Sequence, residues 1–345
     1  MSDELRAGII GAGFIGMVHA HAVRAAGGIV RRAAASTPER SLDAAGRLGA
    51  EGAAATAEEL IDAEDVDVVH ICAPNSRHAE LALRAIAAGK HLICEKPLAV
   101  HLEGARRLAE AAARADVVAT VPFVYRFYPT VREARVRLAA GEGGPLRLVH
   151  GSYLQDWQAA GAPAGWRGEP GEGGEIRAFI DIGVHWCDLV EFVSGQRIAR
   201  LVADITDGGR QSSVQFRTDG GAAGSVVVSQ VSPGRKNRLA FSLETHELSY
   251  SFNQEEPETL TIGGVDETRH LQRGAGAAGR LSVLPPGHPQ GYQDCFNAFV
   301  SDSYAAIGGD QPEGLPGFDD GVRAAALTHA VGESARVGRW VEVPS

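Results

Sequence analysis

The sequence predicts an α/β protein in which an N-terminal Rossmann domain with a doubly wound parallel sheet precedes an α+β domain with a large, mostly antiparallel sheet. In residues 1–124, short apolar runs alternate with alanine-rich helical stretches, a spacing typical of βαβ units. After Pro122, strand-like segments follow one another without long intervening helices, which favours antiparallel pairing. We therefore expect a dinucleotide-binding domain at 1–124 and a substrate-binding and oligomerisation domain at 125–345.

The elements of the first domain are predicted from apolar runs and from helical spacing of apolar residues. Leu81, Ala82, Ala85 and Ile86, for example, lie on one face of a helix. In chain order we expect strand 6–10, helix 13–26, strand 30–36, helix 38–49, strand 65–74, helix 78–89, strand 91–97, helix 101–115 and strand 116–123.

The second domain is predicted to be rich in strands. A glycine- and proline-rich stretch at 158–174 indicates a loop. Gly195 is a plausible C-terminal cap for the helix predicted at 182–195. In chain order we expect helix 128–141, strand 146–155, helix 182–195, and strands 199–207, 212–221, 222–232, 237–245 and 246–254.

Composition and charge exclude several classes of protein. The 345 residues carry a formal net charge of -10, which argues against a nucleic-acid partner. No apolar stretch reaches the length of a membrane span, and the N-terminus lacks the features of a signal peptide. The four cysteines are widely spaced, which favours neither disulfides nor a zinc site. We expect a cytoplasmic protein without a membrane partner.

A GxGxxG motif, Gly11–Ala12–Gly13–Phe14–Ile15–Gly16, links the first strand to the first helix. Glycines are needed there because the backbone turns sharply and approaches a pyrophosphate, whose charge lies at the helix N-terminus. A tight turn without a ligand is the alternative. The position at the start of a βαβ unit favours dinucleotide binding.

The choice between NAD and NADP depends on a position about 20 residues beyond the glycines. Counting from Gly16 leads to Ser36 rather than to an acidic residue that would hold the ribose of NAD. Ser36, Thr37 and Arg40 offer hydroxyls and a guanidinium that suit a 2′-phosphate. Arg40 is alternatively an ordinary solvated helix residue, so we expect NAD or NADP, with NADP accepted.

The segment ICEKPLAV (93–100) places a charged pair at the end of an apolar strand. Lysine is rarely buried without a partner, so Lys96 has either a structural or a chemical role there. A parallel sheet binds its ligands beyond the carboxyl ends of its strands, which is where this strand would deliver Lys96. Pairing with Glu95 on the surface is the structural alternative.

Together, GAGFIG, APNSRHAELALRAIAAGKHLICEKPLA and DIGVHWCDL resemble the glucose–fructose oxidoreductase/inositol dehydrogenase (Gfo/Idh/MocA) family over essentially the full length. The resemblance implies that Lys96 is catalytic and that Asp181 and His185 form the DxGxH pair. It also implies cofactor contacts by the glycine loop and by the positions that follow the later strands, namely Pro74, Asn75, His78, Glu95 and Lys96.

Further stretches are similar to sugar and pyranoside dehydrogenases: 151–157, 234–239 and 287–299. The residues that this similarity assigns to the substrate are Asp156, Arg235, His288 and Tyr292. The aromatic stretch 123–128 and the tryptophans Trp157 and Trp166 either line a sugar-binding surface or form core. On the first alternative, Tyr125, Arg126, Trp157 and Trp166 are further candidate substrate contacts. Arg126 alternatively pairs with a carboxylate.

Oxidation of a secondary alcohol requires that a proton leaves the hydroxyl while hydride leaves the carbon. His185 suits a general base, and Asp181, four residues earlier, can orient it. Lys96 can polarise the substrate oxygen. We expect Lys96 and His185 to converge at the reacting carbon. Asp188 is expected to face solvent or cap a neighbour, His19 and His21 to serve packing and solvation, and a metal is not expected.

The leading hypothesis is an NAD(P)-dependent dehydrogenase that oxidises a secondary hydroxyl of a sugar, glycoside or cyclic polyol to a ketone. A redox-neutral glycoside hydrolase or epimerase that works through a transient keto-sugar would use the same residues. A nucleotide-sensing regulatory subunit is a third, non-enzymatic alternative. The resemblance also suggests a homodimer or homotetramer.

Overall fold

The computed structural model describes residues 4–159, 174–274, 276 and 279–345. The predicted loop at 158–174 lies mostly outside the described residues, and Trp166 lies wholly outside them. By their contacts, the residues form two compact units: 1–124 with 292–325, and 125–291 with 326–345.

The elements alternate regularly at first and become strand-rich later. The helices are α1 (Phe14–Ala25), α2 (Pro38–Leu48), α3 (Ala57–Asp62), α4 (Asn75–Ala87), α5 (Leu102–Arg114), α6 (Pro129–Ala139), α7 (Val184–Ser194), α8 (Tyr292–Ile307) and α9 (Phe318–Val337). The strands are β1 (Arg6–Ile10), β2 (Ile29–Ala34), β3 (Gly52–Ala53), β4 (Val68–Ile71), β5 (His91–Cys94), β6 (Ala119–Thr120), β7 (Leu148–Leu154), β8 (Ile198–Thr206), β9 (Gln211–Thr218), β10 (Ala223–Ser229), β11 (Arg238–Glu244), β12 (Ser249–Asn253), β13 (Thr259–Gly263), β14 (Thr268–Gln272) and β15 (Val341–Glu342).

The first unit contains a parallel six-stranded sheet in the order β3-β2-β1-β4-β5-β6. All four residues of β4 are buried, as expected of a central strand with helices on both faces. The carboxyl ends of three strands coincide, because Ile10 pairs with Ile71 and Ile71 pairs with Cys94. Chain order reverses between β1 and β4, which is where such sheets bind their ligands.

The second unit contains a nine-stranded sheet in the order β14-β13-β12-β11-β7-β10-β9-β8-β15. Its pairings are antiparallel except that of β7 with β10. Residues of β9 alternate between buried and exposed, so one face of the sheet is covered and the other is open. Helix α7 packs on the covered face, where the Trp186 indole donates to the Ala240 carbonyl oxygen at 2.9 Å.

The predicted fold class is confirmed: a parallel Rossmann sheet precedes a mostly antiparallel one. The proposed division at residue 124 remains a prediction, but by contacts residues 292–325 group with the first unit rather than with the second. The physical reason is that α8 packs against α1 through an apolar face that includes Phe296 and Phe299.

Other elements differ from expectation in detail. The helix predicted at 182–195 starts with a π-helical turn at Phe179–Gly183, before α7. Helices α3, α8 and α9 and strands β3, β13, β14 and β15 were not predicted from the sequence. The strand predicted at 116–123 is paired over two residues only, in β6. Judged by length and apolar character, a bilayer-spanning helix does not occur among the described residues.

Candidate active site

The three glycines of the GxGxxG motif, two in the loop after β1 and one in the first turn of α1, meet different steric demands. Gly11 has φ +104°, and a Cβ added there would clash with the carbonyl oxygen of Cys72 at the end of β4. A Cβ at Gly16 would clash with the Gly11 carbonyl oxygen. At Gly13, in contrast, an added Cβ would meet no described atom within 4 Å. Gly13 therefore borders open space, as expected where a pyrophosphate approaches the backbone.

The N-terminus of α1 is suited to an anion. Gly13 is the N-cap, and among the described residues no side chain caps the helix and no acidic residue lies in its first turn. The first amide groups of a helix lack intrahelical acceptors, so here they can bind phosphate oxygens. Phe14 and Ile15 open the helix, and Phe14 is 75% exposed. The loop fits the dinucleotide that its motif predicts.

The predicted ribose-binding residues lie at the turn from β2 into α2. The Arg40 guanidinium donates to Ser36 Oγ at 3.0 Å, and Thr37 Oγ1 caps α2 by accepting from the Arg40 amide at 3.3 Å. Sequence reasoning overlooked Glu39, an acidic residue three positions after Ser36. Hydrogen bonds from its own backbone amide and from Thr37 lower the pKa of the Glu39 carboxyl. An acidic group and a guanidinium are therefore both near this turn.

His78 connects the loops that follow β4 and β5. Its Nδ1 lies 2.7 Å from the Pro97 carbonyl oxygen, and its Nε2 lies 2.9 Å from the Ala73 carbonyl oxygen. Pro74 and Asn75 begin α4 between these contacts. The buried imidazole therefore holds together the two chain segments in which the cofactor contacts were predicted, and it acts through the backbone.

Glu95 and Lys96 follow β5 directly. The Lys96 amide donates to Glu95 Oε2 at 3.1 Å, and Glu95 Oε1 lies 3.2 Å from His19 Nε2 on α1. The Lys96–Pro97 peptide bond is cis. The Glu95 side chain is buried rather than on the surface, and its carboxylate accepts a hydrogen bond from the backbone of Lys96.

In the second unit, three chain segments meet at one edge of the sheet. Leu154 of β7 pairs with Ser229 of β10 and with Arg238 of β11. Because β10 is parallel to β7 and β11 is antiparallel, the ends of β7 and β10 and the start of β11 adjoin. Gln155 and Gln230 follow the first two strands, and Asn237 precedes the third, so the register places them together.

A neutral hydrogen-bonding cluster forms at this edge. The hydroxyl groups of Tyr125 and Tyr153 contact each other, and Asn237 Nδ2 donates to the Tyr125 hydroxyl at 3.2 Å. Asn237 Oδ1 accepts from the Tyr153 hydroxyl at 2.8 Å and from Gln155 Nε2 at 2.7 Å. The Trp157 indole donates to Gln155 Oε1 at 3.0 Å. The cluster carries hydroxyl, amide and indole groups and no formal charge.

His185 borders this cluster. Its ring lies 5.2 Å from that of Tyr125 and 6.5 Å from that of Tyr153, both in tilted or edge-on contact. Asp181 lies in the π-helical turn one turn earlier, where its Oδ2 accepts from Gln230 Nε2 at 2.7 Å. The structure therefore places the predicted acid–base pair on one helical segment, beside the strand ends.

Two buried amides near Asp181 have unused hydrogen-bonding capacity. Within the described residues, neither Nε2 nor Oε1 of the Gln158 side chain has a hydrogen-bond partner, and Gln230 Oε1 has none either. The Gln158 backbone amide donates to the Gln230 carbonyl oxygen at 3.1 Å, so the two residues are adjacent. Buried polar groups in this state are expected to meet a ligand or water.

The predicted charged substrate contacts are paired within the protein. The Arg126 guanidinium forms two hydrogen bonds with Asp188, one of 2.9 Å, and both side chains are buried. The expectation that Asp188 faces solvent or caps a neighbour was wrong, because burial beside Arg126 gives it an ion-pair partner. Of the two alternatives for Arg126, the structure shows the carboxylate pair.

The remaining predicted charged contacts lie in loops; Arg235 and His288 are exposed, and Asp156 is half-buried. Asp156 Oδ2 accepts from Lys236 Nζ at 2.7 Å, which holds the pKa of Asp156 below its usual range. Arg235 Nη1 lies 3.5 Å from Glu255 Oε2. His288 is exposed, with Nδ1 at 3.3 Å from the Pro285 carbonyl oxygen. Their substrate roles remain predictions.

Tyr292 starts α8 in the first unit, where its ring packs edge-on against Phe296 at 5.2 Å. Its substrate role also remains a prediction. Within the described residues, no group of three His, Cys, Asp or Glu side chains is arranged to hold a metal ion. The four cysteines are buried thiols, and burial raises the pKa of Cys72, Cys94 and Cys295.

Sequence reasoning selected stretches of the second unit that carry cluster residues, but it did not name every member of the cluster. In 151–157 it named Asp156 and Trp157; Trp157 belongs to the cluster, and Tyr153 and Gln155 are members that it missed. The signal was the alternation of a strand, which places every second side chain on the same face. In 234–239 the cluster residue is Asn237, for which no comparable signal existed.

Two family models match the chain. Residues 5–123 match a model described as an oxidoreductase family with an NAD-binding Rossmann fold. Residues 131–249 match a model described as the GFO/IDH/MocA C-terminal domain. The two matches cover parts of both units.

Curated relatives and solved structures agree with these models. Levoglucosan dehydrogenase of Pseudarthrobacter phenanthrenivorans is 30% identical, with 99% of each chain covered. The 1,5-anhydro-D-fructose reductase of Ensifer adhaerens is 32% identical, with 93% of each covered. A solved structure of a levoglucosan dehydrogenase in complex with NADH and levoglucosan superposes with a TM-score of 0.93 at 30% identity, covering 99% of this chain and 100% of the other.

Proposed function

Because this chain belongs to the Gfo/Idh/MocA family of NAD-binding oxidoreductases, we propose that it oxidises a secondary hydroxyl of an uncharged pyranose sugar, glycoside or cyclic polyol to a ketone. The curated relatives include dehydrogenases of levoglucosan and of myo-inositol. These names support the class of substrate and leave the particular sugar to experiment.

The observation that carries the proposal is the neutral cluster beside His185. Hydroxyl, amide and indole groups recognise sugar hydroxyls by hydrogen bonds, and aromatic rings can stack on a pyranose. Within the described residues, the Gln158 side-chain amide and Gln230 Oε1 have no hydrogen-bond partner, so they add donors and acceptors that a polyhydroxylated ligand would satisfy. The cations first assigned to substrate, Arg126 and Arg235, are near carboxylates, which gives an anionic substrate no advantage.

We assign the proton chemistry to three residues. His185 takes the proton of the reacting hydroxyl, since imidazole titrates near neutrality. Asp181 orients the imidazole, and Gln230 holds Asp181 by the hydrogen bond described above. Lys96 polarises the substrate oxygen while the hydride leaves the carbon.

The dinucleotide supplies the hydride acceptor when it is bound. We propose that its pyrophosphate lies against Gly13 and the first amides of α1. The prediction that NADP is accepted rests on Arg40, which is exposed and already close to Ser36. Glu39 at the same turn favours NAD, so we expect activity with both cofactors and higher activity with NAD.

A substrate panel tests the proposal. We expect reduced nicotinamide to accumulate, measured by its absorbance, with levoglucosan, methyl glycosides or inositols. Gluconate and glucose 6-phosphate serve as charged controls and should be at least ~100-fold poorer in kcat/KM, because an unpaired charge is costly to desolvate. Repeating each assay with NAD and NADP measures the cofactor preference.

Two results would contradict the proposal. Turnover of the charged compounds at rates equal to those of the neutral ones would show that the neutral cluster does not select the substrate. Conversion of a glycoside without net formation of reduced cofactor would instead favour the redox-neutral hydrolase or epimerase.

We also propose that the protein is a cytoplasmic homodimer or homotetramer. The open face of the nine-stranded sheet supports this, since it is wide and includes Val227, which is 47% exposed. The buried thiols suit a reducing compartment. Light scattering coupled to size-exclusion chromatography should give a mass at least twice that of the chain, and a monomeric mass would refute the assembly.

A further inference from the structure

A buried chain of hydrogen bonds crosses the first unit from α8 to the loop after β5. The Tyr304 hydroxyl lies 3.0 Å from His70 Nε2, and His70 Nδ1 lies 2.9 Å from His19 Nδ1. His19 Nε2 lies 3.2 Å from Glu95 Oε1, and Glu95 Oε2 accepts from the Lys96 amide. His19 and His70 are fully buried, and the four side chains come from four separate segments.

The positions of the protons decide which atoms donate and which accept along this chain of hydrogen bonds. The Glu95 carboxylate only accepts hydrogen bonds, so His19 Nε2 carries a proton. If His19 is neutral, its Nδ1 accepts from His70 Nδ1–H, and His70 Nε2 accepts from the Tyr304 hydroxyl. Every polar atom in the chain then has a partner of the correct kind.

The opposite direction leaves a buried proton without an acceptor. In that case His70 Nε2–H would donate to the Tyr304 oxygen, and the Tyr304 hydroxyl proton would need another acceptor. Among the described residues, His70 is the hydrogen-bond partner of this hydroxyl. Leaving a buried donor without an acceptor is unfavourable, so the first direction is favoured.

The ionisation of the buried groups agrees with this pattern. Burial lowers the pKa of His70 well below its usual value, and the adjacent His19 contributes in the same direction. Burial also raises the pKa of the Tyr304 hydroxyl. A neutral imidazole at position 70 and a protonated hydroxyl at position 304 are what the one-way chain requires.

We propose that Tyr304, His70 and His19 form a one-way hydrogen-bond chain that orients the Glu95 carboxylate and so positions the backbone at Lys96. These are positioning residues, because they act on the proposed catalytic lysine through Glu95. The inference rests on the proposed function for its catalytic consequence. His19 thus has a role beyond the packing that its sequence context suggested.

Two substitutions of His19 distinguish its hydrogen bond to Glu95 from its hydrogen bond to His70. In His19→Gln, the side-chain amide can occupy the place of Nε2 and donate to Glu95. In His19→Asn, the shorter amide can occupy the place of Nδ1 and contact His70, but it cannot reach Glu95. His21→Asn is a matched control, since His21 is an exposed residue on the same helix that contacts Asn297.

The first measurement is hydrogen exchange at the Lys96 amide, together with turnover in the substrate assay. In His19→Asn we expect exchange to be roughly tenfold faster and kcat roughly tenfold lower, as expected for loss of one hydrogen bond to a charged group. The affinity for NADH should be unchanged. His19→Gln should restore most of both properties, and His21→Asn should behave as the unsubstituted chain.

The second measurement is the tautomer of each histidine by nitrogen-15 NMR of the unsubstituted protein. We expect the proton of His70 on Nδ1 and that of His19 on Nε2. A His70 proton on Nε2, or unchanged Lys96 exchange in folded His19→Asn, would overturn the proposal. If His19→Asn does not fold, the tautomers alone decide. If the protein turns over no substrate, the proposed function fails. Hydrogen exchange at the Lys96 amide and the histidine tautomers still test the proposed hydrogen-bond chain in that case.

Discussion

Replacement of Lys96 by methionine is expected to lower kcat by about three orders of magnitude while NADH still binds. Methionine keeps the length of the side chain and removes the charge, so it can neither polarise the substrate oxygen nor share its proton. The contact between the Lys96 amide and Glu95 involves the backbone and should persist. Steady-state kinetics and the fluorescence of bound NADH measure the two effects separately.

Lys90→Met is the matched control for this experiment. The chain has three lysines, and Lys90 lies six residues before Lys96. Its Nζ donates to the carbonyl oxygens of Ala63 at 2.8 Å and Val66 at 2.7 Å, before β4. We expect it to affect stability rather than kcat. If Lys96→Met keeps most of the turnover, Lys96 has no catalytic role.

Replacement of His185 by alanine is expected to lower kcat/KM by about 10²–10⁴, the contribution typical of a general base. The remaining rate should increase with pH, because hydroxide can then remove the substrate proton. Affinity for NADH should be retained, since the glycine loop belongs to the first unit. Kinetics across a range of pH values measure both effects.

His150→Ala is the control for loss of a histidine in the same unit. His150 lies on β7, where Nε2 is 2.8 Å from Glu244 Oε1, and it is about half exposed. We expect little change in kcat/KM. A His185→Ala variant as active as this control, at every pH, would show that another group accepts the proton.

The first unit could be predicted well from sequence because its signals are local. Strand β1, the glycine loop and α1 are contiguous, and the clash of an added Cβ at Gly16 involves the Gly11 carbonyl oxygen within the motif itself. The EKP segment was correctly expected at a strand end, since β5 stops at Cys94. What could not be predicted was the partner of Glu95, because His19 is 76 residues earlier and His70 and Tyr304 lie on other elements.

The second unit was harder to predict because its polar residues are brought together by strand register. The pairing of Leu154 with both Ser229 and Arg238 decides that Gln155, Gln230 and Asn237 adjoin. The burial of Asp188 beside Arg126 likewise depends on packing of a helix against a distant turn. The helix α8 did carry a readable signal, since Phe296, Phe299 and Val300 recur at helical spacing.

The sequence by itself determined the order of the parallel and the mostly antiparallel sheet, the glycine loop and the family to which the chain belongs. These depend on periodicity and on motifs whose members are close along the chain. The tertiary structure decided which polar groups are paired, which are buried and which adjoin, as for Arg126 with Asp188 and for His19 with Glu95. Such pairing depends on contacts between distant segments, and their free energies appear only once the chain is packed.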